Sequence, residues 1–242
     1  MPLPKVSTPS YELKLLSTGK NIKYRPFLVK EEKVLLIALE SGDKKQINSA
    51  IKDVLKSCIL SRGVKVDELP TFELEYLFLN IRGKSVGESV ELIAVCQDDG
   101  ETQVPIKINI SDVELIIPEG HTDTIDLGEG LFIQFKYPSM QQFIDNNFAI
   151  SKETDKEVID QAFKSVVACI DQIYTKDESW SASDCTDKEL TSFIEQLNSA
   201  QFKEVENFFA TMPKLSYTTN ITNPNTGVES VIVVEGLSSF FA

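Results

Sequence analysis

Histidine is almost missing from this 242-residue chain: the single copy is His121, in the loop-like stretch PEGHTD. Nucleophilic catalysis of the triad kind needs an imidazole held beside a serine or cysteine, and no such motif points toward His121. Cysteine is scarce as well. Cys58, Cys96, Cys169 and Cys185 are widely scattered with no C-x-x-C pair, which argues against both a disulfide framework and a zinc site. Cys58 and Cys169 fall on apolar helical stripes and read as small core residues. The phosphate- and dinucleotide-binding patterns G-x-x-x-x-G-K-[ST] and G-x-G-x-x-G do not occur. The stretch DDGE, Asp98 to Glu101, lacks the twelve-residue alternation of a calcium loop and reads as a hairpin turn. A glycosidase-like carboxylate pair has no sequence signature among the 37 acidic residues, since it is defined by a separation of about 5–9 Å in space. These absences predict a protein that is not an enzyme, with no catalytic, cofactor-binding or metal-binding residues.

Long apolar runs are lacking too. None approaches the roughly 20 residues needed to span a bilayer, and MPLPKVSTPS has neither the basic nor the apolar region of a signal peptide, so synthesis in the cytosol is expected. Basic residues are thin in the second half. Residues 1–117 carry 16 basic and 17 acidic side chains, whereas 118–242 carry 8 and 20. The net charge of −13 disfavours nucleic acid and anionic membrane, which need clustered Lys and Arg. A surface this lopsided is either a solvated face or one that steers toward a basic protein partner.

What is present is enough apolar residue, 42%, for one or two ordinary cores, arranged with an internal echo. Leu16, Gly19, Ile22 and Tyr24 match Leu127, Gly130, Ile133 and Phe135 at an offset of 111, and Asp43, Lys44, Ile47, Ala50, Lys52 and Val54 match Asp155, Lys156, Ile159, Ala162, Lys164 and Val166 at 112. The expected fold is α+β, as two tandem pseudo-repeated units, 1–117 and 118–242, each with a β-hairpin, two to three helices and a second β-hairpin. Period-2 alternation marks the opening hairpins YELKLLSTGKNIKYRPF and DTIDLGEGLFIQFKY. Helical segments follow at about 28–41 and 139–149. The first runs Val34-Leu35-Leu36-Ile37-Ala38-Leu39, apolar on every side, and is expected to be buried.

Next comes a long helix with one apolar face, Ile47, Ala50, Ile51, Val54, Leu55, Cys58 and Ile59, with Gly63 placed to end it. Its counterpart is expected to bury Ile159, Ala162, Phe163, Val166, Val167, Ile170 and Ile173. Further helices are predicted in TFELEYLFLNI and in TDKELTSFIEQL with AQFKEVENFF, the former pair opening on Thr186 and Glu189 in capping-box spacing. The closing hairpins turn at Asp98-Asp99-Gly100 and at Asn223-Pro224-Asn225-Thr226-Gly227.

Three stretches together, LPKVSTPSYELKLLSTGKNIKYRPFLVKEEKVLLIALES, ELPTFELEYLFLNIRGKSVGE and the later FFATMPKL with VVEGLSSFF, resemble the T4-type bacteriophage baseplate protein family, which includes the baseplate hub subunit and the hub assembly catalyst. The likeness spans essentially the whole chain and is strongest to hub subunits of T4-like marine phages. It implies a structural or assembly protein of a contractile-tail baseplate hub, made in the host cytoplasm and located in the virion tail. Its partners would be other hub and tail proteins, with the tape-measure protein near by, and no small-molecule substrate, nucleic acid or membrane. The alternatives are a transient hub-assembly chaperone absent from the finished virion, or a tail glycan hydrolase. Some members of that family carry C-P-x-C-G at the hairpin turns, where this chain has NPNTG and a lone Cys96. Tetrahedral zinc lacks a ligand set here, so the two hairpins are expected to hold by ladder bonds and packing alone. Leu237, Phe240 and Phe241, in the apolar tail, are the candidate partner-binding anchors. The competing expectation is their burial against the second unit's own helices.

Overall fold

The computed structural model describes residues 6–139 and 155–236. The helix expected over 139–149 falls, beyond Ser139, outside the described residues, as do Leu237, Phe240 and Phe241. In chain order the elements are β1 (Tyr11–Lys14), β2 (Asn21–Tyr24), α1 (Val29–Ser41), α2 (Lys44–Cys58), α3 (Thr71–Val86), β3 (Ser89–Val95), β4 (Gln103–Asn109) and β5 (Glu114–Ile116). There follow β6 (Thr124–Asp126), β7 (Phe132–Phe135), α4 (Asp155–Ala168), β8 (Ile170–Tyr174), β9 (Ser179–Ser181), α5 (Asp187–Ile194), α6 (Ser199–Ala210), β10 (Lys214–Thr222) and β11 (Glu229–Glu235). The fold is mixed α+β with small antiparallel sheets. Contacts gather the chain into two units, one drawn from 1–116 and 214–242, the other from 117–213.

In the first unit β1 and β2 form a hairpin in which Tyr11 lies opposite Tyr24. Alternation places Ile22 and Tyr24 inside, and Pro26 stops the ladder because it has no N–H to donate. The apolar stripe of α2 does what its 3.6-residue period requires, burying Ala50, Val54, Leu55 and Cys58. The helix ends at Cys58, before Gly63. Ile59 leaves it to bridge Tyr24, while Arg25 N–H donates to the Cys58 carbonyl at 3.0 Å and Leu60 N–H to that of Lys23 at 2.8 Å. Strand pairing therefore captures the residue that helical spacing assigned to the stripe. α3 is buried along Leu74, Leu77, Phe78, Leu79 and Ile81. β3 pairs with β4, and β10 lies between β11 and β5. Both closing hairpins form with the anticipated turns.

α1 departs from expectation. Only Glu31 and Ala38 are buried on it, while Val34, Leu36, Ile37 and Leu39 are 46%, 55%, 56% and 57% exposed. The inward strip is Glu31, Leu35 and Ala38, at i, i+4 and i+7, and the helix packs against α2. A run that is apolar on every side cannot itself say which side faces in. Here the inward place at the first turn goes to a glutamate paired with Arg25, and most of the apolar surface is left outside.

The second unit is a four-stranded antiparallel sheet in the order β6-β7-β8-β9, packed against helices. Its core joins Ile125, Ile133 and Phe135 of the hairpin to Ile170, Ile173, Leu190, Ile194, Val205 and Phe208. Ile170 and Ile173, expected on a helix, belong to β8 instead, with Phe135 in register with Ile170 and Lys136 N–H donating to the Cys169 carbonyl at 2.8 Å. β-Branched residues suit that half-buried pleat. The capping box of Thr186 and Glu189 forms as spaced, Glu189 accepting from Thr186 N–H at 2.8 Å, and Asn198 with Gln201 repeats the device at α6. Residues 24 and 59 in the first unit and 135 and 170 in the second thus make the same pairing, each with a matching bond from the next residue to the carbonyl at the helix end.

Candidate functional site

A proton-transfer site would be built on His121, and its surroundings argue for a structural role. Nδ1 lies 2.9 Å from the Thr211 hydroxyl and Nε2 lies 2.9 Å from that of Tyr137. Thr211 has one hydroxyl proton, which it donates to the Asn207 carbonyl at 2.7 Å. Nδ1 therefore carries the imidazole proton and donates it to Thr211, and Nε2 accepts from Tyr137. The ring is stacked on Tyr137 and Phe208 with centroids 5.7 and 5.5 Å away. Burial lowers its pKa, against an upward pull from Asp123. Since Tyr137 donates to the neutral ring, Tyr137→Phe should raise the His121 pKa, measurable by NMR titration of the imidazole protons. The depressed folded pKa gives stability that is present above the unfolded value near 6.5 and is lost as pH falls toward the folded one.

The buried thiols offer no better nucleophile. The four cysteines are free, three of them buried, and burial pushes Cys58 up to about 11 and Cys169 to about 12. At neutral pH both are thiols and not thiolates.

The two closing hairpins of the first unit meet at their turns. Backbone bonds there are equivalent: Cys96 N–H donates to Thr102 and Gly100 N–H to Cys96, while Asn223 N–H donates to Val228 and Gly227 N–H to Asn223. Asn223 is 1% exposed. Its Nδ2 donates to Asp98 Oδ1 at 3.0 Å and Asp99 Oδ2 at 2.8 Å, while its Oδ1 accepts from Asn225 N–H at 2.9 Å. Thr226 Oγ1 donates to Asp98 at 2.6 Å, and Asn225 Nδ2 to Thr102 Oγ1 at 2.9 Å. Thr226 and Asn223 hold Asp98 below the usual carboxylate range, and the Thr102 hydroxyl, the Thr102 and Glu101 amides and then Asn223 do the same for Asp99. Side chains thus clamp the hairpins in addition to ladder bonds and packing, which corrects the simpler expectation. The donor set does not suit zinc: Cys96 is its one thiol, burial and then Asp98 and Asp99 raise its pKa, and among the described residues no three His, Cys, Asp or Glu gather as metal ligands.

The remaining feature is the outer face of α1. Arg25 fixes the helix from below: its Nη2 is 3.0 Å from Glu31 Oε1, with the two side chains 15% and 7% exposed, and its Nη1 donates to the Pro26 carbonyl at 2.8 Å. Glu31 also accepts from Leu28 N–H at 2.6 Å, satisfying an N-terminal donor that the helix itself cannot. Burial would raise the Glu31 pKa, but Arg25, the Leu28 amide and Lys30 hold it below its ordinary value. Gly42, at φ 63°, closes the far end by donating to the Leu39 carbonyl. Anchored at both ends, α1 presents Val29, Val34, Leu36, Ile37 and Leu39 outward. The signal for this in the sequence was Glu31, three residues ahead of the apolar run Val34–Leu39.

Among the described residues no helix is long and apolar enough to cross a membrane. A family model described as T4 bacteriophage base plate protein matches residues 8–242. No curated protein and no solved structure matches the chain.

Proposed function

The chain belongs to the T4 bacteriophage base plate protein family, and on that premise we propose that it is a retained structural subunit of the hub of a contractile-tail baseplate. Its work is to bind neighbouring proteins. The observation that carries this is the outer face of α1, a cluster of exposed aliphatic side chains on a helix fixed at both ends. Such a cluster is costly to leave in water and is the material from which interface anchors are made. The neutral, hydroxyl-bound His121 and the protonated Cys58 and Cys169 thiols support a role without chemistry. Residues 117–213 hold 18 acidic and 7 basic side chains, which favours a basic neighbour and an encounter rate that falls with salt. Other hub and tail proteins, the tape-measure protein among them, are the partners this reading names. The matched pairings at residues 24 and 59 and at 135 and 170 support descent of the two halves from one duplicated unit.

Mass spectrometry of purified tails tests the proposal. A retained subunit appears in fixed stoichiometry with the other baseplate proteins. Its presence in assembly intermediates and absence from finished tails would instead make it a released assembly factor.

A further inference from the structure

The outer ridge of α1 is made of Val29, Lys33, Leu36, Ile37 and Glu40, at i, i+4, i+7, i+8 and i+11, and all five are exposed. At about 100° per residue they share one side of the helix, opposite the inward strip of Glu31, Leu35 and Ala38. Lys33 and Glu40 are thus two charges set into an apolar ridge. Between them, three and four residues from each, lie Leu36 and Ile37. Neither charge makes an ion pair among the described residues.

The order of these charges is unfavourable within α1 and favourable across a second copy of it. Glu40 lies in the last turn, where the partial negative charge of the helix end disfavours a carboxylate, and that turn holds no basic residue. Lys33 and Glu40 are seven residues apart, outside the i+3 and i+4 reach of helical ion pairs. When two copies of α1 lie antiparallel, with a two-fold axis passing between Leu36 and Ile37, Lys33 comes level with Glu40 of the second copy and Glu40 with its Lys33. The same operation gathers Leu36 and Ile37 of both copies at the centre. A two-fold contact has to be self-complementary in this way, because one patch meets itself. Parallel pairing would instead set lysine against lysine and glutamate against glutamate.

We infer that the outer face of α1 docks on the same face of a second copy of this chain, antiparallel about a two-fold axis, with Lys33 and Glu40 forming two ion pairs between the copies. The inference rests on the reading of α1 as the protein's anchor and names the neighbour there. The aliphatic side chains supply the attraction, and the ion pairs fix orientation and register. Other baseplate proteins then meet the chain as a pair. One that grips both copies gains avidity, so separating the copies also weakens capture by those proteins.

Sedimentation velocity of the isolated chain and its charge-reversal variants provides the test. The wild-type chain should dimerise within a dilution series reaching roughly 100 μM. Lys33→Glu and Glu40→Lys should each weaken that dimer at least about tenfold, since like charges then face each other at both flanks. An equimolar mixture of the two variants should dimerise as the wild type does, because the two reversed charges face each other and so do the two unreversed ones. Dimers indifferent to either reversal, or a mixture no tighter than its components, would overturn the inference. A chain that stays monomeric, yet captures baseplate proteins on coexpression and loses them with Leu36→Glu and Ile37→Glu, would give α1 to a different protein. That result overturns the inference and leaves the reading of α1 as an anchor in place, whereas a monomer whose capture survives those two substitutions overturns both.

Discussion

Arg25→Ala should lower the stability of the protein by about 3 kcal/mol, the range found when one partner of a buried ion pair is removed. The loss comes from the group left behind. Glu31 is buried, and without the guanidinium its remaining cationic contact is Lys30, 3.3 Å away on a side chain that is mostly in water. The Leu28 amide still donates to it, which keeps the cost from going higher. Because Glu31 anchors the first turn of α1, amide exchange over residues 29–41 should accelerate together with the loss. Arg25→Met combined with Glu31→Leu should recover most of the stability, since a buried pair replaced by apolar side chains of similar size is often neutral. Urea denaturation of the single variant and the double variant measures this. A loss under about 1 kcal/mol for Arg25→Ala would show that the pair behaves as a surface one. Glu31 also sets a pH signature. Its folded pKa lies below the unfolded one, so its stabilisation is present above about pH 4.3 and fades as pH falls through the folded value.

Asn223→Leu should unfasten the two closing hairpins and lower Tm by roughly 5 °C. Leucine nearly matches the side chain in size but removes both the donor shared by Asp98 and Asp99 and the acceptor of Asn225 N–H. The backbone ladder of β10 and β11 remains, so the fold should persist with a looser turn. Asn223→Asp separates charge from shape. It brings a third carboxylate against Asp98 and Asp99, so it should be more destabilising than leucine at pH 7 and recover as the pH drops toward 3, when the introduced carboxyl, its pKa raised by its two like-charged neighbours, takes up a proton. Thermal melts of the two variants between pH 3 and 7 decide this. Equal losses at all pH values would mean that the clamp is not electrostatic.

The elements that could be read from sequence were those whose own period identifies the buried side. Hairpins β1–β2 and β6–β7 alternate with period 2, and α2 repeats its apolar residues at helical spacing, so each forms as expected. The ends of α2 and α4 could not be read the same way. Ile59 and Ile170 continue the helical spacing, but each is paired with the opening hairpin of its own unit, and that distant β partner overrides the local pattern. α1 failed for the opposite reason: Val34–Leu39 has no polar side, and the residue that fixes its orientation, Glu31, does so through Arg25. The turn clamp was invisible because Asn223 and Asp98 are 125 residues apart in sequence, and neither NPNTG nor DDGE implies the other. Resemblance to a family was legible throughout, while the surface that suits the role emerged only from the exposure of α1.

The account rests on that surface acting as an anchor for neighbouring proteins. Leu36→Glu together with Ile37→Glu changes two exposed side chains, so Tm and the circular dichroism spectrum should stay as in the wild type. When coexpressed with the other baseplate proteins, the wild-type chain should copurify with them and the double variant should bind at least about a hundredfold more weakly. Copurification of the double variant at the wild-type level, with its fold intact, would contradict the account.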